Sequence, residues 1–262
     1  MKTVTGIFNS RADADRALSN LSSIGIPDDR INLLTPGTTS EEVEASVPTT
    51  ETEQPGMGQA LGGTVGGAMG VAGGATLGAA AASLLVPGVG PVIAAGLLGA
   101  ALFGAGGAAA GVTAGEALED TVAPELPHDE LYLYEDALRK GRTVIIAAAD
   151  DDTQADAARN ALFEAGAEGL DTARENWWTG LRDAEEEEYT RRQQGGDFKK
   201  DEPHYRRGFE AALHPRARGK SYEEAADYLR ERHSDVYTGD AFRQGYQRGQ
   251  SFQEGLREKY KA

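Results

Sequence analysis

Residues 54–115 carry no charged side chain over 62 consecutive positions, and glycine recurs through them at a helical interval. Gly58, Gly62, Gly66, Gly70, Gly74 and Gly78 follow one another four residues apart. That spacing puts them along one helix face, where the missing side chains let a second backbone come close. Gly99, Gly107, Gly111 and Gly115 form a comparable ridge further on, and two prolines and two glycines in Pro87-Gly88-Val89-Gly90-Pro91 force a turn between the two arms. The pattern predicts a helical hairpin with arms at 58–85 and 92–115, roughly 42 Å and 36 Å long at the helical rise per residue. Each interior glycine costs about 0.5–1 kcal/mol relative to alanine. Such a face has to be packed, against the other arm or against another copy. The arms are long enough to cross a hydrocarbon core, but burying Gly and Ala provides little transfer free energy. A soluble packed hairpin, an oligomerising zipper and a membrane-inserting hairpin all fit this pattern.

The flanks read differently. Residues 4–8 have the pattern of a strand, Asn9-Ser10 that of a cap, and residues 11–24 that of a helix with Ala14, Ala17, Leu18 and Leu21 on its apolar face. Gly25 ends that helix and residues 30–34 read as a second strand. Beyond the hairpin, residues 127–140 read as an amphipathic helix and residues 143–149 as a buried strand. Asp150, Asp151 and Asp152 supply caps for a helix through residue 165, and residues 169–173 suggest a last short strand. Two such β-α-β-like halves close as a four-stranded antiparallel sheet with helices on one side. The expected fold class is therefore α/β, a ferredoxin-like α+β sandwich split by a long Gly/Ala-rich helical hairpin and followed by a small all-helical region. In domain terms, residues 1–34 and 121–173 are the two halves, 35–55 an acidic flexible connector and 56–120 the zipper hairpin. Residues 174–202 are a polar acidic linker or helix, and 203–262 a helical region rich in aromatics and arginine.

In that last region Tyr205-Arg206-Arg207-Gly208-Phe209 and Phe242-Arg243-Gln244-Gly245-Tyr246 share a spacing, a weak internal repeat with each aromatic pair on one helix face. Trp177, Trp178, Tyr205, Phe209, Phe242 and Tyr246 are candidates either for a small core or, with Arg206 and Arg243, for a recognition surface. Glu185-Glu186-Glu187-Glu188 reads as a solvated helix face.

The chemistry is sparse. Cysteine is absent, so no thiolate nucleophile or thiolate metal site is available, and the four histidines share no metal-ligand spacing. Gly62-Gly63-Thr64-Val65-Gly66-Gly67 lacks the Gly-Lys-Ser/Thr ending of a P-loop. The reading is of a chain that is not an enzyme, without catalytic, cofactor or metal residues, and no small-molecule substrate is expected. The formal net charge of -16, concentrated in the first 170 residues, argues against a nucleic-acid partner. The N-terminal residues lack a signal-peptide pattern, which points to the cytoplasm, with membrane association left open.

Thr3-Val4-Thr5-Gly6-Ile7-Phe8, the Ala-rich helix ending at Gly25, Leu84-Leu85-Val86-Pro87-Gly88-Val89-Gly90-Pro91 and Leu131-Tyr132-Leu133-Tyr134-Glu135 together resemble the bacterial general-stress-protein family, typified by the heat-induced stress proteins of spore-forming bacteria. The likeness spans about residues 3–173. The tail, with Tyr205-Arg206-x-Gly208 and Phe242-Arg243-x-Gly245-Tyr246, is similar to one in low-temperature-induced stress proteins. The resemblance implies a split ferredoxin-like domain and a role in stress tolerance, and brings no catalytic residues with it. The functional expectation is a non-enzymatic, homo-oligomeric stress scaffold. A membrane-associated envelope protein and an adaptor binding an acidic partner through its aromatic and arginine tail are the alternatives.

Overall fold

The computed structural model describes residues 2–37, 82–86, 88–95, 128–192 and 196–260. The zipper positions Gly58, Gly62, Gly66, Gly70, Gly74, Gly78, Gly99, Gly107, Gly111 and Gly115 lie outside the described residues, as does most of the expected connector.

A five-stranded antiparallel sheet forms the base. Its strands are β1 (Lys2–Phe8), β2 (Ile31–Pro36), β3 (Ala82–Val86), β4 (Gly90–Ala95) and β5 (Thr143–Ala149), in the spatial order β1-β5-β2-β4-β3. β5 lies between β1 and β2, which places Val4 opposite Ala147 and Leu33 opposite Ile145. Its sequence, Thr-Val-Ile-Ile-Ala-Ala-Ala, is apolar at both parities. Such a strand needs cover on both faces of the sheet.

Both faces are covered. Helix α1 (Arg11–Ser23) connects β1 to β2 and packs with α3 (Asp152–Glu164) over Val4, Phe8, Ile31, Leu33, Ile145 and Ala147. Ser10 caps α1 by accepting the Asp13 N–H at 3.1 Å, and Asp151 caps α3 through the Gln154 N–H at 2.8 Å. Asp150 pairs with Arg30 and Asp152 with Lys2, so the aspartate run caps a helix and binds neighbouring cations. The opposite face is covered by α2 (Leu131–Arg139), whose Leu131, Tyr134, Ala137 and Leu138 meet Ile7, Leu34, Val92, Val144 and Ile146. This corrects the expectation of helices on one side only. The residues that decide it are Val144 and Ile146, which alternate with Ile145 and Ala147 and give the second face an apolar surface of its own.

Two further expectations are corrected. Residues 82–95, expected as the ends of two helical arms and the turn between them, form a β-hairpin within the sheet. Ala82 pairs with Ala94 and Val86 with Gly90, while β4 pairs with β2 from Leu33↔Ala95 to Pro36↔Val92. Val86, Val89, Val92 and Ile93 suit an extended backbone, and Gly88 and Gly90, at φ 81° and 102°, supply the left-handed positions of a tight turn. The turn was legible, but it joins strands. The expected strand at 169–173 is a single bridge, Ile7↔Glu168, after which the chain enters α4 (Leu170–Arg192). Leu170 and Ala173 contribute to the core on the α2 face, a helical spacing that continues to Trp177.

α4 therefore runs through the expected boundary at 173/174, and the first part of residues 174–202, expected as a linker or helix, is helical to Arg192. It leads into α5 (Phe198–Leu213), α6 (Ala226–Arg232) and α7 (Asp240–Lys259). Among the described residues no helix is long and apolar enough to cross a membrane.

Candidate functional site

The two repeat motifs meet each other. A Cβ on Gly208 would overlap the Phe242 carbonyl, and a Cβ on Gly245 would overlap the Tyr205 carbonyl. Each glycine thus faces the first aromatic residue of the other motif, a pseudo-twofold crossing of α5 and α7. Gly249 extends the contact, since a Cβ there would stand 2.6 Å from the Phe209 carbonyl oxygen. The close approach leaves the aromatics no route outward. Tyr205, Phe209, Phe242 and Tyr246 are buried, as are Trp177 and Trp178 from α4.

Of the two readings open for these aromatics, the core is what the structure shows. Trp178 lies against Tyr205 and Phe209 with centroids at 6.4 and 5.9 Å, and its Nε1–H donates to Glu202 at 2.8 Å. Arg206 binds Glu210 and Glu175, both at 2.8 Å, and lies over the Trp178 ring. Arg243 lies 4.5 Å from the Tyr222 ring centroid. The residues proposed as a recognition surface are engaged within the chain.

Two buried carboxylates belong to the same construction. Glu185, expected on a solvated face, is 1% exposed, accepts the Tyr205 hydroxyl at 2.9 Å and is paired with Arg248. Burial next to that carboxylate drives the Tyr205 phenol well above its usual range, so it stays a donor. Glu135 on α2 receives both terminal nitrogens of Arg218, at 2.6 and 2.8 Å, while the Arg218 Nε–H donates to the Leu213 carbonyl. This pair fastens the helical tail to the sheet domain. No local spacing announces the pairs of Glu135 with Arg218 and of Asp129 with Arg232, because the partners lie 83 and 103 positions apart in sequence.

A cleft of about 300 Å³ opens where the start of α2 meets α4, α5 and the end of α6. Three guanidinium groups line it, each from a different helix. Arg174 is paired with Glu130 at 3.1 Å, Arg207 with Asp235 at 2.7 and 3.0 Å, and Arg232 with Asp129. His214 accepts the Arg216 N–H at Nδ1, 3.2 Å, which fixes its proton on Nε2, and Nε2 donates to Asp129 at 3.1 Å. The His214 hydrogen bond and the charge of Arg232 hold the Asp129 carboxyl down at about 2. Burial, and then the neighbouring Asp129 charge, push Glu130 upward. Burial first, then Arg207 and Arg232, lower His233 to about 4, so its imidazole is neutral near pH 7.

Two polar atoms of the cleft lining, the Tyr132 hydroxyl and His233 Nδ1, are buried without a hydrogen-bond partner. Tyr132 itself is 4% exposed, its ring 4.7 Å from that of Trp177. An unpartnered buried polar group costs about 1–3 kcal/mol. Two in one cleft make it the most chemically marked place among the described residues.

No protein-family model, curated protein or solved structure matches this chain.

Proposed function

We propose that this chain is a non-enzymatic stress-response scaffold of the cytoplasm that assembles with its own copies through its glycine-spaced runs. The observation that carries the reading is the register Ala82↔Ala94. The hairpin from residue 82 to residue 95 lies inside the uncharged segment 54–115, so the runs before and after it meet the sheet side by side at its open end. In this reading the hairpin is the base of the two runs, whose glycine faces pack on each other and on a second copy. The base itself is firm, because the tail is anchored to it through Arg218 and Glu135.

We read the domain as ferredoxin-like in a reduced form. β1, α1 and β2 make a split β-α-β unit around β5, α3 follows β5, and the bridge at Glu168 stands where a fourth strand would flank β1. The stress role rests on the resemblance of the motifs in residues 3–173. The adaptor alternative is less favoured, since Arg206 and Arg243 bind within the chain.

Two differently tagged copies expressed together test the reading. They are expected to co-purify without detergent and to separate when Gly66→Leu and Gly70→Leu are introduced in both. Copies that never co-purify refute assembly, and copies that appear only in salt-resistant membrane fractions transfer the reading to the envelope alternative.

A further inference from the structure

We propose that the cleft between α2, α4, α5 and α6 is a binding site for a small solute carrying a phosphate or carboxylate group. Its volume of about 300 Å³ lies at the lower end of the range for small-molecule sites, which suits a compact solute and excludes a dinucleotide. The buried Tyr132 hydroxyl, beside the donor-only guanidinium of Arg174, has no acceptor for its own proton and is a donor in the cleft wall. Its acidity is suppressed by burial, so it does not ionise and repel an incoming anion.

The guanidinium groups provide the charge. In a chain of net charge -16, Arg174, Arg207 and Arg232 gather from three helices onto one small cleft. Glu130, Asp235 and Asp129 are their partners, so a ligand enters by exchange with carboxylates already bound. Arg207 is the easiest to exchange, because it is 41% and its partner Asp235 62% exposed. A pair that open to water is weakly held. A ligand oxyanion presents the same planar pair of oxygens to the guanidinium fork and adds the hydrogen bond that Tyr132 lacks. Neutral His233 gives a second unpartnered polar atom on the wall for a hydroxyl or ester oxygen of the solute. The sequence contains no signal for such a site, and its existence is independent of the assembly reading.

Calorimetric titration of the full chain with inorganic phosphate, and separately with succinate, in a buffer free of both ions, tests the proposal. Saturable binding of at least one probe is expected, phosphate alone or succinate alone identifying which oxyanion the cleft selects. Tyr132→Phe and Arg207→Gln are each expected to weaken binding about tenfold, the equivalent of one lost hydrogen bond to a charged group. Arg230→Gln, outside the cleft, is expected to leave it unchanged. Tyr132→Phe keeps the buried ring and removes only the hydroxyl, so a loss of binding at an unchanged melting temperature reports the hydroxyl. Absence of saturable binding for both probes overturns the proposal, as does binding that neither Tyr132→Phe nor Arg207→Gln weakens.

Discussion

Arg218 grips both carboxylate oxygens of Glu135 from the far side of the chain, and neither residue is more than 10% exposed at its side chain. Attraction at this depth has to offset the desolvation of two ions, and it does so here because Arg218 Nε also reaches the Leu213 carbonyl. Glu135→Gln or Arg218→Met leaves one buried charge uncompensated. Each is expected to cost about 3–5 kcal/mol in chemical denaturation, whereas exchanging both residues for apolar ones of similar volume should cost much less. A loss in the double variant equal to the sum of the two single losses would show that the pair is not coupled.

The crossing of α5 and α7 makes a sharper demand. Gly208→Ala and Gly245→Ala each drive a methyl group into a backbone carbonyl, which only a separation of the helices relieves. A loss of more than about 3 kcal/mol is expected for either, at the upper end of the usual overpacking cost. Gly180 and Gly255 have nothing within 4 Å of an added Cβ, so alanine there should stabilise the protein by about 0.5–1 kcal/mol through helix propensity. Thermal unfolding of the four variants separates a packing role from a conformational one.

Stability should fall with pH in two windows. His233 is neutral in the folded protein down to about 4 but protonates near 6.5 when unfolded, so the unfolded state takes up more protons between those values and gains on the folded state. Asp129 has the depressed pKa of a paired carboxylate, and its contribution, present above the unfolded value near 3.8, is lost as pH falls toward 2. His233→Gln is expected to flatten the upper window alone. The charged groups acting on His233 are Arg207, Arg232, Asp235 and Asp129. An NMR titration placing the His233 midpoint near 6.5 would contradict the account.

The sequence is legible where local chemistry decides structure. Ser10, Gly25 and Asp151 marked real element ends, and the continuous apolar run of residues 143–149 gave a real strand. The repeat around Gly208 and Gly245 was visible, but not that the two copies embrace, because a glycine does not state which carbonyl it faces. Residues 82–95 were misread since a strand surrounded by Gly and Ala has too few neighbours of either period to show its own, and only pairing with β2 settles it. Glu185 was misread because a run of four glutamates looks solvated, while one of them faces Arg248 across 63 positions. The cleft was invisible for the same reason. Its residues come from four helices, and no spacing connects Tyr132 to Arg207 or His233.

The central claim is that the uncharged runs hold copies of this chain together. Light scattering coupled to size separation, without detergent or membranes, measures it most directly. The account predicts a mass that is a multiple of the single chain's 27.6 kDa and that returns to one chain when Gly66→Leu and Gly70→Leu are combined. A single-chain mass for the parent, or a multiple that survives both substitutions, would contradict it.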